Sequence, residues 1–272
     1  MFALALLLLS GMQAAPATTP APPTASSTAG APSTDQMVAQ AGLIGGLLFT
    51  LDRAAWVSSD ALMASVPKDQ MQAGGGYVVE AVDQRTLRAT YYRGEGEAAR
   101  AFFVADVQAG KVVSRQRLAE LVALTPHQLL LARARAIAAD YARQNSLAPC
   151  TASPFNTVLM PSRNNGPIAV YLLSAQVDNA SYPVGGHYRV VVSPEGKVLS
   201  SRAYSKSCIN MGLPKRSSGK APAGLVVSHL LDPVPTEMHV FASFSLQLPL
   251  YVITPDKRLW KVKGRDITVV PQ

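Results

Sequence analysis

No Asp, Glu, Lys or Arg occurs in the first 34 residues, which restricts the folded part of the chain to residues 35–272. Residues 1–17 combine an apolar run with a small-residue exit at Ala15-Pro16-Ala17, a pattern typical of an export signal peptide. Residues 18–34 are almost wholly Pro, Ala, Thr, Ser and Gly, a composition that cannot offset the entropy cost of ordering. We therefore predict a signal peptide, a disordered linker and a body that is periplasmic or secreted.

The order of hydrophobic periodicities in the body predicts an α+β fold. Apolar residues recur at helical spacing from Met37 to Ala55, behind the N-cap candidates Ser33-Thr34-Asp35. A second helix starts at Thr125-Pro126-His127-Gln128, where Thr can cap the helix and Gln can complete a capping box. Strand-like runs separated by glycines follow each helix and predict antiparallel β-meanders packed with two main helices. A division into subdomains 35–120 and 121–272 is one alternative.

Cys150 and Cys208 are the only cysteines of the chain. An even number of thiols in an exported protein favours pairing, and this pair would close a loop of about 60 residues. The chain-entropy model assigns such a disulfide about 4 kcal/mol of stabilisation. The alternative is two unpaired buried cysteines.

Positive charge is concentrated in the last third of the chain. Residues 181–272 hold 12 Lys and Arg against 5 Asp and Glu, which is seven of the eight net positive charges. For an exported protein, such a field favours anionic lipid, lipopolysaccharide or an acidic envelope protein as partner, and not nucleic acid. The alternative is a basic surface that serves only solubility. The predicted anion-binding residues are Lys206, Lys215, Arg216, Lys257, Arg258, Lys261, Lys263 and Arg265.

One arrangement of histidines suggests chemistry. Residues 225–231 and 237–246 are predicted to form an antiparallel hairpin, and the register of that hairpin places His229 opposite His239. Glu237 would lie on the same face, giving a two-histidine, one-carboxylate site that accepts zinc or non-haem iron. The favoured interpretation is that both histidines are hydrogen-bonded residues of a sheet, with no cofactor. A divalent metal at this site is the alternative.

No catalytic signature occurs elsewhere in the sequence. A nucleophile elbow, a phosphate-binding loop and a dinucleotide-binding fingerprint are all missing from the printed residues. His187 follows the pair Gly185-Gly186, which predicts a tight turn or bulge more readily than a ligand cradle. His127 is expected to face solvent.

Three stretches, Asp52–Val57, Gly185–Cys208 and His229–Phe241, resemble a group of uncharacterised exported proteobacterial proteins. The resemblance implies export and assigns no activity or functional residue. Residues 125–204 are similar to the PepSY-like arrangement, in which a helix packs on a small antiparallel sheet, and this similarity concerns the fold alone.

Together these features predict a non-catalytic envelope protein that binds an anionic envelope component or a partner protein through its basic C-terminal third. The alternative is a metal-dependent, hydrolytic enzyme centred on His229, Glu237 and His239. A third hypothesis is partner binding along an exposed strand edge. No apolar run of the body is long enough to span a bilayer.

Overall fold

The structure, a computed structural model, describes residues 31–67, 71, 75–160, 166–213 and 223–271. The predicted signal peptide, most of the predicted linker, Lys215 and Arg216 lie outside these residues. Residues Ser33–Gln272 form one unit. The predicted α+β fold class is confirmed, since helices and several antiparallel sheets alternate along the chain.

The helices of the described residues are α1 (Thr34–Ser65), α2 (Pro126–Gln144) and α3 (Glu237–Leu246). The strands are β1 (Gly76–Ala81), β2 (Thr86–Arg93), β3 (Arg100–Gln108), β4 (Lys111–Ala123), β5 (Asn156–Met160), β6 (Ile168–Leu173), β7 (Ser181–Pro183), β8 (Tyr188–Val192), β9 (Val198–Ala203), β10 (Asn210–Gly212), β11 (Leu225–Ser228), β12 (Leu250–Ile253), β13 (Leu259–Lys263) and β14 (Asp266–Val269).

Three four-stranded sheets and one two-stranded ribbon organise the described strands. The first sheet has the order β1-β2-β3-β4 and the second β5-β6-β8-β9, and all their pairs are antiparallel. In the C-terminal sheet, β11-β12-β13-β14, the β11–β12 pair is parallel and the other two are antiparallel. β7 and β10 form the ribbon. The chain thus runs helix, meander, helix, meander before the C-terminal sheet, in the order predicted.

Helix starts follow the predicted capping chemistry. Ser33 accepts the backbone N–H of Gln36, whose side chain accepts the N–H of Ser33 in return. Thr125 and Gln128 make the same reciprocal pair at the start of α2. Each capping box satisfies two of the N–H groups that a helix end leaves without partners.

Glycines of α1 allow two other backbones to approach the helix closely. A Cβ at Gly42 would lie 2.7 Å from the carbonyl oxygen of Arg265, and one at Gly45 would lie 2.6 Å from that of Glu237. Both distances are shorter than any real Cβ contact, so only glycine fits. The small-residue spacing in the first helix therefore places α1 against the β13–β14 turn and against α3.

The predicted hairpin of residues 225–231 and 237–246 is wrong. β11 ends at Ser228 and pairs with β12, while residues 237–246 form α3. The helix lies in the core, and every residue of its Glu237–Ser243 segment is buried. A helix that is apolar on all sides loses the 3.6-residue periodicity, and its sequence can then be mistaken for a strand.

The predicted disulfide between Cys150 and Cys208 is present, with the two Cα atoms 5.1 Å apart. Gly186 passes directly over it with φ +69°, and a Cβ there would overlap Sγ of Cys150. A Cβ at Gly185 would lie 2.7 Å from the carbonyl oxygen of Ser207. The glycine pair therefore provides a tight passage beside the disulfide.

Candidate functional site

His229 and His239 meet, although by a different route from the predicted hairpin. Their ring centroids are 4.7 Å apart and the rings are nearly perpendicular. His229 follows the end of β11, and His239 is the third residue of α3. Only 4% and 8% of these residues is exposed, so the pair sits inside the protein between the C-terminal sheet and α3.

The hydrogen bonds of His239 fix its tautomer. Its Nδ1 accepts the backbone N–H of Thr236 at 2.9 Å, so the neutral ring carries its proton on Nε2. Burial, with a smaller contribution from His229, lowers the pKa of His239 to about 3. His239 is therefore a neutral ring that presents an N–H donor on the side away from Thr236.

His229 belongs to a charged group at the surface end of the same site. Its Nε2 lies 2.7 Å from Oδ2 of Asp232, which also accepts Nη2 of Arg202 at 2.7 Å. Burial alone would raise the pKa of Asp232, but the hydrogen bonds from His229 and Arg202 bring it below its usual range. Asp232 is thus an ionised acceptor, His229 donates its Nε2 hydrogen, and Arg202 balances the carboxylate charge.

Glu237 has different hydrogen-bond partners from the two histidines. Its Oε1 accepts the hydroxyl of Tyr171 at 3.2 Å and the hydroxyl of Tyr204, and it lies 3.5 Å from Nη1 of Arg189. Burial raises the pKa of Tyr171 to about 12, and burial together with the Glu237 charge raises that of Tyr204. Both phenols therefore stay protonated and act as donors to the buried carboxylate.

This geometry does not bring the three predicted metal ligands into one coordination sphere. Glu237 is engaged by two tyrosines, and His239 can offer a metal no free nitrogen lone pair while Thr236 occupies Nδ1. Within the described residues, no group of three His, Cys, Asp or Glu side chains is arranged to hold a metal ion.

A small cavity of about 60 Å³, which we call the histidine cavity, opens beside the two imidazoles. Its walls come from residues 204–209, residues 227–231 and α3, and both His229 and His239 line it. Lys206 lines it as an exposed residue, whereas the floor includes the buried side chains of Met238 and Leu250. The lining of the cavity is therefore mixed, with apolar and polar groups in similar proportion.

The disulfide holds one wall of this cavity. Cys208 lies in the wall segment 204–209, and Asn210 donates its Nδ2 hydrogen to the carbonyl of Cys150 at 2.8 Å. Ser205 accepts the backbone N–H of Gly186 and donates to the carbonyl of Ser207. The loop that carries Lys206 is thus fastened on both sides.

His187 and His127 have structural surroundings. The Nδ1 of His187 accepts the N–H of Ser174 at 3.1 Å, and its Nε2 donates to the carbonyl of Pro183 at 3.0 Å. Burial lowers the pKa of His187 to about 4, so this ring is a neutral, fully bonded bridge between two backbone segments. His127 is about half exposed, and its Nδ1 lies 2.7 Å from Oε1 of Glu80.

The C-terminal sheet has one buried face and one open face. The open face, which we call the outer face, consists of Val226, Ser228, Tyr251, Ile253, Leu259, Lys261, Lys263, Asp266 and Thr268. Alternation along each strand sends the intervening residues, such as Val252 and Trp260, into the core. The register aligns Val226, Tyr251, Lys261 and Thr268 in one row across the four strands.

The predicted anion-binding residues that the structure describes are spread over two places. Lys206 is at the histidine cavity, and the others lie on or beside β13. Arg258 pairs with Asp256. Among the described residues, Lys257, Lys261, Lys263 and Arg265 have no ion-pair partner, although Asp266 stands opposite Lys263 in the register.

Several residues of the site were missed by the sequence reasoning. Tyr171, Arg189 and Tyr204 contact Glu237 across 66, 48 and 33 positions of the chain, so no local pattern connects them. Thr236 was detectable, because Thr followed three residues later by a side-chain acceptor is a helix-start signature.

Comparison with known proteins gives no assignment: no family model matches the chain, and no curated protein or solved structure is significantly similar to it. The three helices of the described residues all lack an apolar stretch of the length that crosses a bilayer. Function can therefore be inferred only from the geometry of the chain itself.

Proposed function

We propose that this protein is an exported, non-catalytic component of the bacterial cell envelope that binds the phosphate groups of anionic lipids with the outer face of its C-terminal sheet. The observation that carries the proposal is an open sheet face with two lysines, Lys261 and Lys263, that have no ion-pair partner among the described residues. A single acidic side chain, Asp266, shares this face within the described part of the chain.

The basic charge of this face lies on β13 and on the turn before it. Lys257 is in the turn that precedes the strand, and Lys261 and Lys263 point outward from the strand, whereas the side chain of Arg265 lies against Gly46 of α1. At about 3.3 Å per residue, the strand itself spans roughly 15 Å. Two outward lysines on such a strand can contact neighbouring head groups of a lipid surface.

Apolar side chains of the same face favour a lipid surface over a soluble anion. Val226 is 59% exposed and Ile253 is 38% exposed, although both belong to strand positions that face outward. Tyr251 stands between Val226 and Lys261 in the register. Apolar and aromatic groups next to lysines suit the boundary between lipid head groups and acyl chains.

Export is part of the same proposal. The Cys150–Cys208 disulfide is consistent with an oxidising compartment, where anionic lipid and lipopolysaccharide are abundant surfaces. In this proposal the chain loses residues 1–17 on export and acts in the periplasm or outside the cell. Processing at this site, detected by mass spectrometry of the periplasmic fraction, is the measurement that checks this part.

The decisive experiment is sedimentation of the protein with vesicles of phosphatidylcholine that contain increasing amounts of phosphatidylglycerol. Each lysine near an anionic surface contributes about 1 kcal/mol, so Lys261→Gln/Lys263→Gln should weaken binding about 30-fold. Arg115→Gln/Arg117→Gln is the matched control, because it removes the same charge from the exposed edge strand β4. It should bind like the parent protein.

Salt and lipid chemistry separate the remaining outcomes. Binding should weaken as ionic strength rises, because exposed charges are screened. A parallel series with lipopolysaccharide in place of phosphatidylglycerol identifies which phosphate source binds more tightly. Equal binding to neutral vesicles, or equal loss in both double variants, would contradict the proposal.

A further inference from the structure

His239 presents a hydrogen-bond donor that no described group of the protein uses. Only 8% of the residue is exposed, and its Nε2 must carry the proton because Nδ1 accepts the Thr236 N–H. Among the described residues, no acceptor lies within hydrogen-bond distance of that Nε2 hydrogen. This N–H is not one of the fully buried side-chain atoms that lack a partner, so it reaches solvent in the cavity that His239 lines, where an acceptor from outside the protein can bind it.

The cavity beside this donor has a size that limits its occupant. On the scale on which a cavity of about 150 Å³ holds benzene, its volume of about 60 Å³ accepts a much smaller group. A carboxylate with one or two carbon atoms has the right size. The apolar side chains of Met238 and Leu250 in its floor can contact those carbon atoms.

Charge around the cavity favours an anionic occupant. Lys206 lines it as an exposed ammonium, and no ion-pair partner for it occurs in the described chain. Asp232 lies close by, but it already accepts hydrogen bonds from Arg202 and His229. Because Arg202 compensates that carboxylate, a second anion near Lys206 meets little repulsion.

We propose that the histidine cavity binds the carboxylate of a small monocarboxylic acid, which accepts the Nε2 hydrogen of His239 and is charge-matched by Lys206. The chain of the acid then leaves the cavity over Leu230 and Leu231, which are 59% and 40% exposed at its rim. Binding therefore strengthens as the acid lengthens from acetate to butyrate, because each added carbon covers apolar surface.

This site does not include the lysines of the proposed lipid-binding face, since none of its lining residues belongs to β13 or β14, and the two sites share only Ser228 among the described residues. The test is a titration of the full chain with sodium acetate, propionate and butyrate, observed through the imidazole ¹H and ¹⁵N signals of the histidines. N-acetylalanine represents the carboxyl end of a peptide, and a free short-chain acid is represented by butyrate. Butyramide is the matched control that lacks the negative charge.

We expect saturable, millimolar binding of butyrate that moves the Nε2–H signal of His239, and no such shift with butyramide. Lys206→Gln removes the matching charge and should weaken binding about threefold to fivefold, the range of an exposed ion pair. Lys257→Gln removes the same charge from a residue that does not line the cavity, and it should change nothing.

Three results would overturn the inference: no saturable shift at His239, an equal response to butyramide, or equal weakening by the two lysine variants. The first result would mean that only water occupies the cavity. Lys261→Gln/Lys263→Gln distinguishes this site from the lipid-binding face, because it should weaken vesicle binding about 30-fold and leave the butyrate shift intact. Tighter binding of N-acetylalanine than of butyrate would identify a peptide terminus as the preferred source of the carboxylate.

Discussion

Acid should begin to destabilise this protein as the pH falls below about 7, because two histidines are buried as neutral rings. The pKa values of His187 and His239 are lowered to about 4 and about 3. The unfolded chain takes up protons at an ordinary histidine pKa of about 6.5, whereas the folded chain does so only below about 4. Stability is therefore complete above about pH 7 and falls as the pH drops toward 4.

The magnitude follows from about 1.4 kcal/mol per pKa unit. At pH 5 each buried histidine costs about 2 kcal/mol, or about 4 kcal/mol for the two. Asp52 acts in the opposite direction, because burial raises its pKa to about 6 and the folded chain binds its proton first. Protonation of Asp52 in the folded chain therefore adds about 1.4 kcal/mol of stability by pH 5. We expect the free energy of unfolding to fall by about 2.5 kcal/mol in total between pH 7.5 and pH 5.

His239→Gln removes one of the two buried histidines and so isolates its contribution to the pH dependence of stability. Glutamine occupies the same helix position in α1 and α2, where its side-chain oxygen accepts the N-cap backbone N–H. The variant should therefore keep the helix start and lose the titrating group. Its loss of stability between pH 7.5 and pH 5 should fall below about 1 kcal/mol, as measured by urea unfolding at each pH.

Gln36→His is the matched control, because it places a histidine at the same helix position of α1, where the residue is exposed. An exposed ring should change the pH slope by no more than the value of one cap, about 0.5 kcal/mol. If His239→Gln keeps the parental slope, or if Gln36→His alters it as strongly as His239→Gln does, the argument from burial is refuted.

Three further predictions concern stability. Gly186→Ala should lower the free energy of unfolding by about 2–4 kcal/mol, because it adds a positive-φ penalty and an overlap with the disulfide. Gly96→Ala, at φ +53° with no atom near its Cβ, should cost only the backbone part, about 1 kcal/mol. Equal losses in urea unfolding would exclude the overlap. Glu237→Gln should lower the free energy of unfolding by about 3–5 kcal/mol, because it leaves two phenols and a guanidinium without their anion. Tyr204→Phe should lower it by only about 1–3 kcal/mol. The reverse order would contradict the proposed hydrogen-bond network. Reducing the disulfide, which joins residues 58 positions apart, should lower the free energy of unfolding by about 4 kcal/mol. An unchanged denaturation midpoint would show that the bond does not restrict the unfolded chain.

Local signals in the sequence were sufficient for much of the fold. The start of α2 was predictable because Thr125, Pro126 and Gln128 each have a specific role in helix capping. Strand-like runs of β-branched and aromatic residues after each helix marked the two meanders. The disulfide followed from cysteine number and expected compartment.

The helix α3 could not be predicted in this way. Met238, Val240, Ala242 and Phe244 alternate with other residues as strand residues do, and the burial of the whole first half of the helix removes the polar face that marks most helices. In the structure β11 pairs with β12, and the residues expected to form its partner strand form α3. This pairing is parallel and passes around α3, so no turn signal announces it.

The candidate site was predicted in its members and not in its geometry. His229 and His239 are indeed neighbours, but a loop and a helix start bring them together in place of a strand register. Glu237 stands two residues from His239, which on a helix directs its side chain to another side, whereas on a strand the two would share a face. An error in secondary structure therefore changed a metal triad into two separate polar clusters.

Those two clusters share one physical role at the start of α3. Apolar contacts surround this helix and have no direction of their own, so they alone would allow it to rotate or slide within the core. Hydrogen bonds are directional, and the first turn of α3 has them on two sides: Glu237 with the tyrosines, and His239 with Thr236. This arrangement fixes the rotation of the helix, and it thereby turns the Nε2–H of His239 toward the cavity in which we expect a carboxylate.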